Sequence, residues 1–232
     1  MSEKTKALKV AFPYTIPILT GYLFLGAAWG ILMSSKGYSV IWTALISLFT
    51  YAGSMQYVAV SLLALGFNPL YAFLMTLMVN ARHLFYGIVM LEKYKGTGKF
   101  KPYLIFGLTD ETFSILCSTK PPEGINKNWF MFFVTLLDHA YWVLGCTLGT
   151  IIGTMFTINT KGLDFVLTSL FVVIFINQWK STHNHLPVFI ALGSSIICRL
   201  IFGPANFIIP AMILIIFFVT VLKKPIKLRE TL

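Results

Sequence analysis

Charged residues are scarce in this chain of 232 residues: only 11% are charged, whereas 57% are hydrophobic. A soluble domain carries about 25% charged residues on average, so the composition excludes an ordinary soluble globular protein. Acidic residues are the rarest class, with eight Asp and Glu against 18 Lys and Arg. Most of the lysines lie between or beyond apolar runs, which is a pattern of membrane topology and not of a nucleic-acid groove.

Cysteine and nucleotide-binding motifs are also lacking. The three cysteines, Cys117, Cys146 and Cys198, stand alone inside apolar stretches, so we expect neither disulfides nor a metal site. The sequence has no Gly-rich nucleotide motif and no Walker sequence. We therefore expect no cofactor, and any transport must draw its energy from a gradient or a partner.

Long apolar segments fill most of the chain. A helix needs roughly 20 apolar residues to cross about 30 Å of hydrocarbon, where all backbone groups must be satisfied internally. The segments lie near residues 11–34, 40–65, 69–91, 103–118, 129–156, 164–178, 186–202 and 206–222. The sequence predicts an all-α polytopic membrane protein with one transmembrane domain over residues 1–232.

Three basic clusters predict the orientation, because lysine and arginine concentrate on the cytoplasmic side. They are Lys4, Lys6 and Lys9; Lys93, Lys95, Lys99 and Lys101; and Lys223, Lys224, Lys227 and Arg229. Eight crossings would put adjacent clusters on opposite faces. The conflict disappears if one segment in each half is incomplete. We therefore predict about six full transmembrane helices, broken or re-entrant elements near 50–56 and 178–185, and both termini in the cytoplasm.

An internal similarity suggests a duplication. Residues 22–26 with Gly30 match 141–145 with Gly149, residues 47–49 with Gln56 match 169–171 with Gln178, and Arg82 with Phe85 matches Arg199 with Phe202. The repeats would cover about 11–118 and 129–222. Combined with the charge argument, the match predicts an inverted repeat, an architecture typical of secondary carriers.

Glycines spaced four apart mark two helix faces, Gly26/Gly30 and Gly145/Gly149/Gly153. A glycine face lets helices approach closely. The faces serve internal packing, the docking of a partner subunit, or both.

Polar groups inside the apolar segments indicate where a cavity lies, because an intramembrane charge costs about 2.5–3.5 kcal/mol. They are Asn80, Arg82, His83, Asp110, Glu111, Asp138, His139 and Arg199. Each also has a purely structural explanation. Arg82 would neutralise one of the acids as a buried ion pair, Asp110 and Glu111 would be first-turn acids after a break at Gly107, and His139 would be a packed aromatic with one hydrogen bond.

The segment Tyr51-Ala52-Gly53-Ser54-Met55-Gln56 interrupts two apolar stretches of about half-span length. A broken helix at membrane depth frees backbone donors and acceptors, which is tolerated only where protein or a cavity covers them. Those groups bind polar ligands in many carriers. The alternative is a glycine kink without a ligand.

Four motifs in order resemble the AzlC family of branched-chain amino acid permeases. They are Tyr51–Gln56, Asn80-Ala81-Arg82-His83-Leu84-Phe85-Tyr86-Gly87, Leu108-Thr109-Asp110-Glu111-Thr112-Phe113 and Asp138-His139-Ala140-Tyr141-Trp142. The resemblance covers nearly the whole chain. It implies a multi-pass secondary transporter in a bacterial cell membrane that exports leucine, isoleucine, valine and azaleucine. It also implies a small hydrophobic AzlD-type subunit, and proton antiport is the economical energy source.

An amino acid needs a small apolar pocket beside polar groups for its zwitterion. We expect the carboxylate at the Gly53–Ser54 backbone or at Arg82, and the ammonium at Asp138, Asp110 or a freed carbonyl. The full set of predicted substrate-binding residues is Tyr51, Ala52, Gly53, Ser54, Gln56, Asn80, Arg82, Asp110, Asp138 and Tyr141. The predicted proton-coupling residues are Glu111, Asp138, His83 and His139.

The alternative function is a membrane-embedded enzyme that uses Asp138, His139 or Glu111 on a lipid or another apolar substrate. The sequence carries no nucleophile–base motif, no Asp-rich metal motif and no cluster of histidines within a span. Turnover of lipid by the purified protein would favour this alternative, whereas leucine counterflow in vesicles would favour the transporter.

Overall fold

The structure is a computed structural model, and it describes residues 2–64, 68–156 and 184–222 together with positions 162, 165, 168–169, 172, 175–176 and 179–180. Every regular element among them is a helix, which confirms the all-α prediction. Three described helices are long and apolar enough to cross a membrane, and one bent pair would make a fourth. The basic cluster at 223–229, most of the segment at 164–178 and half of the segment at 178–185 lie outside the described residues.

The chain divides into two compact units, Met1–Leu167 and Thr168–Leu232. Eight α-helices are described in the first unit: α1 (Glu3–Ser35), α2 (Val40–Phe49), α3 (Gly53–Ala64), α4 (Pro69–Val79), α5 (Arg82–Met90), α6 (Lys101–Phe106), α7 (Asp110–Ser118) and α8 (Lys127–Met155). In the second unit, α9 (Leu186–Asn206) packs against α10 (Ile208–Val221). A kink at Gly203, where φ is 74°, interrupts α9 near its end.

The two long helices α1 and α8 pack side by side through their glycine faces. Gly145, Gly149 and Gly153 lie against the backbones of Leu23, Ala27 and Ile31, respectively. A Cβ on Gly145 would lie 2.6 Å from the Tyr22 carbonyl oxygen. The predicted internal packing of these faces is therefore confirmed, and they are not free to dock a partner.

The same register shows that α1 and α8 run parallel, since residue numbers rise together along both helices. Near their beginnings, Asn126 contacts Glu3 and Lys4 lies over the Trp129 ring. An inverted repeat would make the matched helices antiparallel, because its axis lies in the membrane plane. The predicted inversion is therefore wrong for this pair.

Alanine at Gly149 should destabilise the protein, because its Cβ would meet the backbone of Ala27, which no side-chain rotation can relieve. Overpacking of this kind costs about 1–3 kcal/mol. We expect a lower melting temperature and lower membrane abundance. Gly21→Ala is the matched control, since no atom lies within 4 Å of its Cβ position. Equal stability of the two variants would contradict the packing described here.

Helices α2 and α3 form a hairpin. Helix α2 runs from the end of α1 towards the middle of the unit, and α3 runs back towards the end of α1. The Leu48 carbonyl oxygen lies 3.1 Å from His139 Nε2 near the middle of α8. On the way back, Tyr57 donates to the Leu25 carbonyl at 2.7 Å, and Val60 packs in a cluster with Leu32. The hairpin turns at residues 50–52, so the incomplete element predicted near 50–56 is present.

Helices α4 and α5 form a bent pair with an angle of 48° between Pro69–Leu77 and Arg82–Met90. The sequence predicted one apolar segment at 69–91. In the structure this segment is broken at residues 80–81, and Arg82 is the first residue of α5. Met90, at the other end of α5, packs in a cluster with Ala11 near the beginning of α1. The pair therefore runs from one end of the unit to the other.

Helices α6 and α7 form a second hairpin, which starts at the end of the unit where α1 begins and turns at residues 107–109. The Lys93 ammonium donates to the Cys117 carbonyl at 2.7 Å, and Asn128 contacts the Gly96 carbonyl oxygen at 3.4 Å. Both ends of the segment near 103–118 thus lie beside the loop 92–101. The prediction that this segment crosses the membrane is wrong, because six- and nine-residue helices joined by a turn cannot span it.

Candidate functional site

Three helix breaks come together beside the long helices α1 and α8. They are residues 50–52 at the tip of the first hairpin, residues 80–81 between α4 and α5, and residues 107–109 at the tip of the second hairpin. The ring centroids of Tyr51 and Phe106 lie 6.2 Å apart across the two tips. Each break exposes backbone donors and acceptors that need a polar partner in a membrane. The functional side chains predicted from the sequence cluster around this point.

Arg82 joins the three breaks. Its Nη1 lies 2.8 Å from Asp110 Oδ2 in an ion pair, and its Nη2 donates to Ser54 Oγ at 3.0 Å. Of the three acids that the sequence offered as partners, the structure selects Asp110. Among the described residues, Arg82 Nε and Asp110 Oδ1 are buried and lack a hydrogen-bond partner. The pair therefore retains one spare donor and one spare acceptor.

The beginning of α3 faces the same place. The first helical bond runs from the Gln56 N–H to the Ala52 carbonyl at 2.8 Å, so the N–H groups of Gly53, Ser54 and Met55 precede the helical ladder. These groups carry the positive end of the helix dipole. An anionic group at this helix end is electrostatically favoured.

Gln56 holds the break in shape. Its Oε1 accepts from the Ala52 N–H at 3.2 Å and from Trp142 Nε1 at 2.9 Å. The Trp142 ring also fills the space beside Gly53, where a Cβ would lie 3.1 Å from the ring. Gln56 is 1% exposed, which makes it a bracing residue whose predicted contact with substrate stays a prediction.

Two further acids, Glu111 and Asp138, are associated with the long helices: Glu111 contacts α1, and Asp138 lies on α8. Glu111 Oε2 accepts from the Tyr22 hydroxyl at 2.6 Å. Asp138 Oδ2 accepts from the Thr112 hydroxyl at 2.7 Å, and the Asp138 side chain is fully buried. Asp110 and Glu111 do occupy the first turn of α7, as their structural explanation requires. They also have partners outside that helix, so dipole stabilisation is only part of their role.

The two histidines have local hydrogen-bond partners. His139 lies 3.1 Å from the Tyr103 hydroxyl and 3.1 Å from the Leu48 carbonyl oxygen. His83 Nδ1 lies 3.2 Å from the Asn80 carbonyl oxygen. The expected packed role of His139 therefore describes its contacts well, with two hydrogen bonds in place of one.

Tyr51 and Tyr141 differ in their relation to the breaks. Tyr51 has φ 41°, a left-handed conformation that costs a bulky residue of order 1–3 kcal/mol. Its ring packs 4.3 Å from that of His139, and its buried hydroxyl has no hydrogen-bond partner among the described residues. The Tyr141 hydroxyl instead lies 3.1 Å from Thr15 Oγ1 on α1, away from the Arg82–Asp110 pair.

A cavity of about 370 Å³ lies between α3 and α4 and reaches the breaks. Its lining is mostly small and apolar, with polar groups at the break end; it includes Thr50, Ala52, Met55, Ala59, Ala72 and Asn80. The size falls within the range of small-molecule sites. The cavity places apolar volume next to the polar groups of the breaks.

Sequence reasoning missed the hydroxyl groups of the site. Tyr22, Thr109 and Thr112 contact each other and the acids, yet in the sequence they were only repeat or motif positions. For Thr109 a signal was available: a threonine directly before two acids is a helix N-cap pattern, and Thr109 Oγ1 does accept from the Thr112 N–H.

Comparisons with known proteins agree with the resemblance seen in the motifs. The family profile described as "AzlC protein" matches residues 17–156. The "Branched-chain amino acid transport protein AzlC" of Bacillus subtilis strain 168 is 54% identical over 99% of this chain and 90% of its own length. An "Uncharacterized membrane protein" of Haemophilus influenzae is 43% identical over 90% of this chain and 86% of its length.

A more distant relative is the "Inner membrane protein YgaZ" of Escherichia coli K12, which is 28% identical over 68% of this chain and 67% of its own length. No solved structure matches the chain. The family profile covers more than half of the chain, and the identity to the Bacillus subtilis protein extends over nearly all of it. The chain therefore belongs to the AzlC family, a family of membrane transport proteins and not of enzymes.

Proposed function

We propose that this protein exports branched-chain and related apolar amino acids from a bacterial cell by proton antiport, together with a small AzlD-type subunit. The observation that carries the proposal is the Arg82–Asp110 pair, which lies at three helix breaks next to an apolar cavity. The printed name of the Bacillus subtilis relative supports branched-chain amino acids as the substrate class.

The zwitterion fits the spare groups of the ion pair. A carboxylate can accept from Arg82 Nε and from the free N–H groups at the start of α3, and an ammonium can donate to Asp110 Oδ1. Because a zwitterion adds equal and opposite charges, its insertion keeps the site neutral. A neutral site avoids the cost of an uncompensated buried charge.

The aliphatic side chain of the substrate occupies the cavity between α3 and α4. Ala59 and Ala72 leave room in its wall, and Met55 and Leu62 supply apolar contact. Each buried methylene contributes about 0.8 kcal/mol, so leucine, isoleucine and valine gain more than alanine or glycine.

We also propose six crossings in one transmembrane domain with both termini in the cytoplasm. The described candidates are α1, α4–α5, α8, α9 and α10, and α2–α3 and α6–α7 are incomplete elements. This arrangement supports cytoplasmic placement of all three basic clusters. It keeps the number of crossings expected from the charges and adds an incomplete element at 101–118, while the element predicted near 178–185 lies partly outside the described residues.

The topology predicts opposite labelling of two exposed lysine positions. Lys99→Cys should react with a membrane-impermeant maleimide only after the cells are opened, because the loop 92–101 lies inside. Lys36→Cys, in the connector after α1, should react in intact cells. Labelling of position 99 in intact cells would reverse the proposed orientation.

Proton coupling is assigned to acids near the substrate site, with Glu111 and Asp138 as the main candidates and His83 and His139 as further ones. The partner assignment comes from the family resemblance. The glycine faces give it no support, because they are covered by the contact of α1 with α8. The AzlD-type subunit must therefore bind another surface.

Leucine counterflow in proteoliposomes tests the function. Vesicles that contain this chain and its small subunit should take up labelled leucine against an internal leucine pool, and valine should compete. An imposed pH gradient should drive net leucine movement in the direction opposite to the proton. Removal of the small subunit should abolish the flux. Uptake that does not saturate, or that ignores the gradient, would contradict proton antiport.

A further inference from the structure

The two buried acids of the site are joined by an unbroken row of hydroxyl groups. Tyr22 Oη lies 2.6 Å from Glu111 Oε2 and 2.8 Å from Thr109 Oγ1. Thr109 Oγ1 lies 3.1 Å from Thr112 Oγ1, which lies 2.7 Å from Asp138 Oδ2. Every link is within hydrogen-bond distance. Three hydroxyls therefore connect carboxyl groups on two helices.

We propose that Glu111 and Asp138 share one transported proton, which passes between them along the hydroxyls of Tyr22, Thr109 and Thr112. The inference rests on the proposed function and specifies how its proton moves. It adds a pathway, formed by three hydroxyl residues, to the two acids already proposed for proton coupling.

The proton balance of the relay closes. With the proton on Glu111, its O–H donates to Tyr22, Tyr22 to Thr109, Thr109 to Thr112 and Thr112 to the Asp138 carboxylate. In the shift, each hydroxyl receives one proton and gives one away. Asp138 ends as the acid and Glu111 as the carboxylate, with every hydroxyl turned round. No other reactant is needed.

The surroundings of the row fit this role. Asp138 and Thr112 are fully buried and Tyr22 is 5% exposed, whereas Thr109 and Glu111 are half-buried, so the Asp138 end of the path is shielded from water and the Glu111 end is the more accessible one. Asp138 Oδ1 and the Tyr51 hydroxyl are buried without a hydrogen-bond partner among the described residues. Thr109 Oγ1 also accepts from the Thr112 N–H, which fixes its position without consuming its proton. The hydroxyl groups are therefore held in place, while the direction of the hydrogen bonds between them can reverse.

Other titratable and charged groups face the row from each neighbouring element. They are Tyr51 from the first break, Arg82 and Tyr86 from α5, Tyr103 from α6, Asp110 from α7 and His139 from α8. Asp110 is the link to the substrate. A substrate ammonium beside Asp110 stabilises the neighbouring Glu111 as a carboxylate, so the proton moves to Asp138. Substrate and proton thus compete for Glu111, as antiport requires.

The test separates exchange from proton-driven transport. Leucine–leucine counterflow needs no net proton movement, whereas net leucine movement driven by a pH gradient does. In proteoliposomes with the small subunit, Tyr22→Phe and Thr112→Val should keep counterflow within about twofold and lose at least tenfold of the gradient-driven flux. Thr112→Ser keeps the hydroxyl and should keep both activities.

Tyr57→Phe is the matched control for Tyr22→Phe, because the Tyr57 hydroxyl is also buried but donates to a backbone carbonyl away from the acids. It should retain both fluxes. Gradient-driven flux that survives in Thr112→Val and Tyr22→Phe would overturn the relay. Equal loss of both fluxes would overturn it too, because it would show a role in folding or substrate binding. Absent counterflow in the unmodified protein would reject the proposed function itself.

An infrared titration of the full chain in lipid tests the relay without transport. The carboxylic-acid C=O band should respond to pH as one shared proton, so Glu111→Gln should shift the titration of Asp138. In the Thr112→Val background the same substitution should have at most a small effect. An Asp138 titration that ignores Glu111→Gln in the unmodified chain, or that responds equally in both backgrounds, would overturn the proposal.

Discussion

Replacing Arg82 by lysine should raise the half-saturation concentration for leucine about 10- to 100-fold while the protein stays folded. An ammonium can neutralise Asp110, but it cannot reproduce a planar fork that contacts Asp110 and Ser54 and still offers Nε to the substrate. A lost hydrogen bond to a charged group costs about 1.5–3 kcal/mol, which corresponds to that range. Counterflow at matched membrane abundance measures the effect.

Arg82→Ala should abolish transport and also lower abundance, because it leaves Asp110 as a partly buried carboxylate without its partner. The double variant Arg82→Ala/Asp110→Asn should recover abundance but not transport. Recovery of transport in the double variant would reduce the pair to a structural ion pair. Arg199→Lys is the control, since Arg199 lies over the Phe207 ring in the second unit.

Enlarging Ala59 to leucine should convert the protein into a poor leucine carrier. The added side chain occupies the cavity between α3 and α4 on the middle of α3. A change of one methylene in a hydrophobic pocket alters specificity by roughly 10- to 200-fold. Leucine should therefore lose more than valine, and valine more than alanine, in competition for counterflow.

The order of these losses is its own control, because a folding defect would weaken all substrates alike. Ala59→Gly provides the opposite change, since it enlarges the cavity at a cost of about 1 kcal/mol in helix propensity. It should leave leucine transport close to normal. A uniform loss for leucine, valine and alanine in Ala59→Leu would place the substrate side chain elsewhere.

The sequence predicted the membrane class, the break near Tyr51 and the choice of Arg82 and the Gly53–Ser54 backbone as candidate carboxylate sites, each from a local signal. An intramembrane charge and a Gly-Ser interruption of an apolar run are visible without knowledge of the fold. The sequence also limited the partners of Arg82 to three acids. It could not choose among them, because the choice depends on how α7 is turned at Thr109.

The wrong predictions concern the directions in which the helices run. An apolar run of 16 residues at 103–118 looks like a short crossing, and only the turn at Gly107 makes it a hairpin. Gly107 is required at that turn, because a Cβ on residue 107 would collide with the Thr135 side chain on α8. Likewise, matched residues in α1 and α8 cannot show whether the helices run parallel, since glycine faces pack in either orientation. Hydrogen bonds across 87 or more positions, such as that from Tyr22 to Thr109, carry no local signal.

The contact between the glycine faces of α1 and α8 limits how these two helices can move. With backbone against backbone at Gly30, Gly145 and Gly149, a slide by one residue would drive a side chain into the opposing main chain. We therefore expect α1 and α8 to keep their relative position during the transport cycle and the short helices beside them to move. Because the hairpins α2–α3 and α6–α7 reach the centre from opposite ends, we expect movement of each hairpin to open the site towards its own side of the membrane.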